Sequence, residues 1–313
     1  MGDVTLRQHY VWRKYLRAWS TPKEQIFSLL IEQNKVIIAN LMRIAQSNSF
    51  YRMNELSPEQ IVFIKQYISK IPAILHGLVM DLLICYESYS DLSRRYRLDP
   101  NSMKHIPSIE SELRKIEIDT FENIHGIIEG FGSELIECKN AEALKKIVID
   151  EEKYYNAMTY LCIQYSRTNA MRKRFEDGIR DKPNVYSIVE NAWPLLSMIA
   201  GFQICYGLIH NNPSFYYVNN ATRIPFITGD QPLINSVGDK IDSEGYAVDL
   251  VFYYPISPKS AIMIEFSKEP GRPVYTINAD DSFVQRYNSL IASNADFFLF
   301  SNEKEGLESY IKP

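Results

Sequence analysis

The chain changes from helical to strand-like texture at Asn211-Asn212-Pro213, and that switch constrains its fold more than any other feature. Upstream, residues 55–212 carry apolar side chains at helical spacing. Downstream, short apolar runs recur between turn residues, the pattern of strands. A helical block followed by a strand block predicts α+β architecture, not alternating βαβ units. Ser57-Pro58-Glu59 opens the block, with Ser at the N-cap and Pro in the first turn. Helices are expected over 73–96, 109–131, a short stretch from Asn140, 150–178 and 186–210. Strands are expected at 215–218, 223–228, 249–254, 261–266 and 274–277, with turns at Gly238-Asp239-Lys240 and Ser243-Glu244-Gly245. A helix over 281–294, capped by Asp281 or Ser282, and a strand at 297–301 complete the chain. Before the block, Gln25–Ile31 and Lys35–Asn40 flank Glu32-Gln33-Asn34 as a β-hairpin, and 43–53 reads as a loop. The expected architecture is α+β: an N-terminal hairpin and a C-terminal, mainly antiparallel sheet with a large inserted helical bundle. Residues 1–54 would pack with 213–313, and 55–212 would form the bundle, either as a separate unit or within one continuous domain.

Composition narrows the function classes. With 313 residues, 46% of them hydrophobic, the chain can bury a core without disulfides or metal. A net charge of −4 argues against coating nucleic acid over the whole surface, yet leaves room for a local basic groove. Cys85, Cys138, Cys162 and Cys205 are far apart, which suits free thiols in a reducing cytoplasm. The apolar run from Ala192 to Ile209 contains Pro194, Ser197, Gly201, Gln203 and Gly207 and lacks a basic flank. It reads as a buried helix, so no membrane partner is expected. P-loop, dinucleotide-fold, zincin and nucleophile-elbow motifs are all missing, and so are RNP and zinc-finger patterns.

Candidate chemistry lies in a few polar residues. The segment Gln8–Trp19 packs a histidine, four aromatics and three cations into an arm that must be anchored. His9 serves either as general base or metal ligand, or as a hydrogen-bonded structural histidine. Asp230 follows an apolar run and precedes Gln231-Pro232. It either presents a carboxylate for metal coordination or base chemistry, or caps its own turn. Within the helix expected over 150–178, Gln164, Arg167, Thr168 and Met171 share one face. Arg167 and Gln164 need a partner if buried, such as Asp230 or a ligand phosphate. Arg172-Lys173-Arg174, extended by Arg180 and Lys182, forms either a solvated helix end or a phosphate-binding rim. Glu265 lies on a strand and could face the site. Asn288 sits in the middle of a helix, where its poor propensity calls for a specific hydrogen bond.

Four segments together resemble one family. They are Gln8-His9-Tyr10 with Tyr15-Leu16-Arg17, Gln164-x-x-Arg167-Thr168 with Arg172, Phe226-Ile227-Thr228-Gly229-Asp230-x-Pro232, and Tyr254-Pro255-Ile256-Ser257-Pro258, with Asn288 as a further echo. In order and spacing they resemble the DUF4238 family of prokaryotic and fungal proteins, nearly end to end. Val11, Trp19 and Asn169 depart from residues usual in that family. The resemblance implies a set of recurring polar positions, His9, Gln164, Arg167, Asp230 and Asn288, which are expected to converge in space. It implies no activity.

The residues themselves point to a metal-assisted hydrolase, a nuclease or phosphodiesterase in a bacterial-defence or toxin-like setting. Asp230 would hold Mg²⁺ or Mn²⁺, alone or with Glu265, and His9 would activate water or serve as a second metal ligand. Gln164 would orient substrate, and Arg167 and Arg172 would receive the phosphate of a nucleic acid or nucleotide. The alternative is a non-catalytic binding or sensor protein in which the same residues form a buried structural network.

Overall fold

The structure is a computed structural model that describes residues 6–238, 249–266, 269 and 271–311. It is α+β. The chain opens with β1 (Arg7–His9), α1 (Arg13–Leu16), β2 (Gln25–Leu30), β3 (Lys35–Asn40) and β4 (Gln46–Asn48). β2 and β3 form the expected hairpin, Gln25 opposite Asn40, and Asn34 in the connecting turn takes a left-handed φ of 52° that Asn tolerates well. The stretch expected to be a loop contains β4, which pairs antiparallel with β1 and sets His9 opposite Gln46.

The helical block holds α2 (Pro58–Ile68), α3 (His76–Leu98), α4 (Ile109–Phe131), α5 (Ser133–Ile136), α6 (Ala141–Ile149), α7 (Glu151–Ser166), α8 (Asn169–Gly178) and α9 (Pro183–His210). Ser57 and Gln60 form a reciprocal capping box at the start of α2. Where one helix is expected over 150–178, the chain breaks at Thr168. Its backbone is extended (φ −74°, ψ 160°), and its hydroxyl accepts the Met171 N–H to cap α8. Gln164 and Arg167 therefore end α7, while Met171 belongs to another helix. Pro194 removes one amide donor inside α9, and the helix kinks at Ala192. Gly201 lets α9 approach α7 closely, because a Cβ there would stand 2.6 Å from Ile163 Cδ1. α9 is long and apolar enough to cross a membrane, yet most of its apolar window is buried within this fold.

After the switch come β5 (Pro213–Asn220), β6 (Thr228–Gly229), β7 (Ile234–Asn235), β8 (Val251–Ser257), β9 (Ser260–Phe266), β10 (Val274–Ala279), α10 (Asp281–Asn294), β11 (Phe298–Ser301) and α11 (Glu305–Glu308). The cap of α10 is Asp280, one residue before the expected Asp281; its carboxylate accepts the Phe283 N–H at 2.8 Å. One sheet has the order β10-β5-β9-β8-β7, antiparallel except for the parallel β10–β5 pair. The other has the order β3-β2-β11-β6, so the N-terminal hairpin shares a layer with the last strand. The expected strand at 223–228 contributes only Thr228 to β6. Pro225 lacks an N–H, the Phe226 N–H donates to Pro258 O, and the Asn288 side chain takes the Ile227 N–H. The expected turn at Ser243–Gly245, and Asp239 and Lys240 of the one before it, lie outside the described residues.

The larger apolar core runs from the arm through the helices to β5, β8 and β9. A second core fills the space around α10 and both sheets.

Candidate functional site

The polar residues of the sequence divide into two groups, and the first is a clamp. The arm is tied to the Phe226–Thr228 segment through its aromatics. Trp19 Nε1 donates to Phe226 O at 2.8 Å, and the Tyr15 hydroxyl bonds both Thr228 Oγ1 and Pro255 O at 2.7 Å. Tyr15 also stacks on Tyr254, ring centres 4.9 Å apart and planes 12° from parallel. Asn288 closes the same segment from α10: Oδ1 accepts the Ile227 N–H at 3.0 Å, and Nδ2 donates to Pro225 O at 2.8 Å. That pair of bonds explains an asparagine in mid-helix. Gln8 does likewise on the arm, donating to Ile118 O and accepting the Tyr51 N–H.

Asp230 belongs to this clamp. Its two carboxylate oxygens accept the backbone N–H groups of Asp296 and Phe297 at 2.9 and 2.7 Å, fixing the turn from α10 into β11. Burial pushes its carboxyl up to about 6, against the pull of those two donors. The expectation that Asp230 partners Arg167 is corrected here: both of its oxygens accept backbone amides, and the carboxylate beside Arg167 is Glu129. Glu265 is also elsewhere, accepting from the Tyr216 hydroxyl in a separate cleft near Tyr275. Arg172 pairs with Glu176 one turn along α8 at 2.7 Å, while Lys173 and Arg174 reach Asp296 and Asn294. The basic cluster thus ties α8 to the end of α10 and does not rim the His9 cleft.

The second group surrounds a cleft of about 210 Å³ between the arm and α4. His9 and Trp12 line one side, and Glu122, His125 and Glu129 line the other with Tyr51. The three α4 residues recur at i, i+3 and i+7 and so share one helix face. His9 is half-buried, with Nε2 3.3 Å from Leu41 O. Behind Glu129 lies Arg167, whose Nη2 donates to Glu129 Oε1 at 2.7 Å and to Gln164 Oε1 at 2.6 Å. Arg167 and Gln164 are each 1% exposed. The structure thus brings His9 to one side of the cleft and Gln164 with Arg167 behind the other.

This cleft is where polar atoms go unpaired. Native proteins pair the great majority of their buried polar groups. Among the described residues, twelve buried side-chain nitrogen and oxygen atoms lack a hydrogen-bond partner. Four belong to residues that line it, Tyr51 Oη, Glu122 Oε2 and both His125 ring nitrogens; Gln164 Nε2 and Arg167 Nε and Nη1 lie behind it, where the Arg167 guanidinium approaches the Tyr51 hydroxyl. The His125 ring packs on Tyr51 with centres 4.1 Å apart. Burial, helped by the Arg167 charge, holds His125 well below the usual histidine range, so its ring is neutral. Burial, then the neighbouring Glu129 charge, pushes the Glu122 carboxyl up to about 7. Burial likewise raises Glu129, while the guanidinium pulls it back. Burial also lowers His9, leaving a neutral imidazole near pH 7.

A carboxyl that titrates near neutrality beside two neutral imidazoles can give and take protons at physiological pH. Sequence reading passed over Glu122, His125 and Glu129 because they lie in an amphipathic stretch whose charged residues look solvated. The available signal was Glu-x-x-His-x-x-x-Glu on one helix face. Among the described residues, no three His, Cys, Asp or Glu side chains are grouped to hold a metal ion.

The sequence model of one family, described as "Protein of unknown function (DUF4238)", matches residues 7–191 and 197–305. No curated protein and no solved structure matches the chain.

Proposed function

The chain belongs to the DUF4238 family, and we propose that its cleft is the active site of a hydrolase acting on phosphate esters, a nuclease or phosphodiesterase. The observation that carries this reading is the meeting, at one cleft, of a carboxyl poised near pH 7 with an unpaired oxygen and of a buried His125 with both ring nitrogens unpaired. Unpaired buried groups are costly, about 1–3 kcal/mol each, and a ligand that completes their bonds gives them a use.

Glu122, in its protonated form, donates a proton to the leaving oxygen. Neutral His9 takes a proton from the attacking water, and the new P–O bond forms as the ester bond breaks. Arg13, Lys14 and Arg17 at the rim attract the anionic substrate. Arg167 holds Glu129 ionised behind the floor, so that Glu122 stays the carboxyl that titrates. Mg²⁺ or Mn²⁺ belongs in the assay as a variable. A binding or sensor protein is the second reading, favoured by the complete pairing of Asp230, Asn288 and Gln8 with backbone.

The test incubates purified protein with DNA, RNA and nucleotides, with and without Mg²⁺ or Mn²⁺, beside Glu122→Gln and His9→Ala. The expected outcome is turnover of at least one substrate class, with kcat of Glu122→Gln about 10²–10⁴-fold lower and an unchanged Tm. No turnover in any condition, or a Glu122→Gln variant as active as the parent, sinks the hydrolase reading.

A further inference from the structure

The cleft has a polarity along its depth. Its rim is cationic: Arg13, Lys14 and Arg17 stand on the arm beside Trp12. Lys14 pairs with Glu137 and Arg17 with Glu24, but both are surface pairs of the kind that an incoming phosphate can compete for. The floor is different. Tyr51 and His125, both buried, present a hydroxyl that approaches the Arg167 guanidinium and a neutral imidazole whose two nitrogens have no partner, while the half-buried Glu122 stands nearer the surface. His125 is 1% exposed and faces this cleft.

A phosphate fits the rim and not the floor. Its oxygens only accept, and deeper in the cleft they would approach the Glu129 carboxylate. The floor instead offers donors and acceptors together: an imidazole with one N–H and one bare nitrogen, and a hydroxyl that does both. A nucleobase edge has the complementary alternation of ring nitrogens, N–H groups and exocyclic amino or carbonyl groups. The aromatic pair Tyr51–His125 and the indole of Trp12 provide ring surface of the type on which bases stack. The volume of about 210 Å³ falls below the ~300–1,000 Å³ of sites that enclose a drug-sized ligand. A base with its sugar can enter it while the phosphate stays at the rim; a duplex cannot.

We infer that the cleft binds a single nucleotide unit with the base on the floor, against Tyr51 and His125, and the phosphate at the arm's cationic rim, on the side of Glu122. This rests on the same cleft as the hydrolase reading and adds the substrate's chemical class and direction of entry. A strand therefore presents a terminal or extruded nucleotide.

Calorimetric titration of the full chain with the four common nucleoside 5′-monophosphates, ribose 5-phosphate and inorganic phosphate tests it. At least one nucleotide should bind about tenfold or more tighter than ribose 5-phosphate, a base-stacking-sized preference, and Tyr51→Phe should reduce that preference several-fold at unchanged Tm. Equal affinity for ribose 5-phosphate and every nucleotide overturns the inference, as does no nucleotide binding, or a preference that Tyr51→Phe leaves intact. Turnover is measured separately. A protein that hydrolyses phosphate esters with no base preference loses this inference and keeps the hydrolase reading. One that binds a nucleotide by its base but cleaves nothing loses the hydrolase reading alone.

Discussion

The clamp around Asp230 and the cleft around His125 are both built from buried polar side chains, and they solve the burial problem in opposite ways. In the clamp, each side chain satisfies backbone groups that the short strand β6 leaves open: Asn288 serves Pro225 and Ile227, Asp230 serves Asp296 and Phe297, and Trp19 serves Phe226. In the cleft, side chains face one another, and Glu122 and His125 leave polar atoms unpaired. A paired buried group contributes to stability, and an unpaired one detracts from it. The clamp therefore reads as architecture. The cleft reads as a place where stability is given up for something else, which is the mark of a functional site.

That contrast can be broken by measurement. The largest expected effect is Asn288→Ala, which leaves the Ile227 N–H and Pro225 C=O buried without partners. Two such groups at about 1–3 kcal/mol each predict a loss of about 2–6 kcal/mol in chemical denaturation. A loss below 1 kcal/mol would mean that the clamp is not holding the segment.

The next effect is in pH. Asp230 is raised from its ordinary 3.8 to about 6 by burial. A carboxyl with a raised folded-state value binds its proton more tightly when folded. Its contribution to stability is full below about pH 4, declines as pH rises through about 6, and is level above that. The span of about two pH units corresponds to about 3 kcal/mol. Asp230→Asn should flatten that decline in Tm-against-pH profiles. A decline as steep in the variant as in the parent assigns it to other groups, Glu122 first among them.

The smallest effect is the most discriminating. Tyr15→Phe removes a hydroxyl bonded to Thr228 and Pro255 and should cost about 1–2 kcal/mol. Tyr51→Phe removes a hydroxyl that approaches the Arg167 guanidinium without a well-formed bond. It should cost less than Tyr15→Phe, because fewer well-formed bonds are lost. Equal losses at the two tyrosines would erase the distinction between clamp and cleft.

Local chemistry made much of the fold legible. The hairpin at 25–40, the helix over 109–131 and the helix over 281–294 follow from alternation, helical period and flanking turn residues. Where the reading missed, a side chain from elsewhere intervened. Thr168 ended a helix that periodicity would have continued, since its hydroxyl both caps α8 and donates to Gln231. The run at 223–228 has strand composition, but Asn288 and Pro258 occupy its backbone groups. Of the candidate site, His9, Gln164 and Arg167 were visible as polar residues in apolar surroundings. Glu122, His125 and Glu129 were not, because a charged residue in an amphipathic helix looks the same in sequence whether it meets water or a buried guanidinium.

What the sequence by itself determined is the order of helical and strand blocks, the anchored arm, and the family to which the chain belongs. Spacing and capping act within a few residues, so they can be read locally. Which carboxylate meets Arg167 was decided only by the tertiary structure. Asp230 and Glu129 are equally available in the sequence, but α4 packs against α7 and carries Glu129 to the guanidinium, while Asp230 is consumed by the backbone of the turn into β11. A buried charge takes the partner that packing delivers, and the packing of distant segments is not written in either one alone.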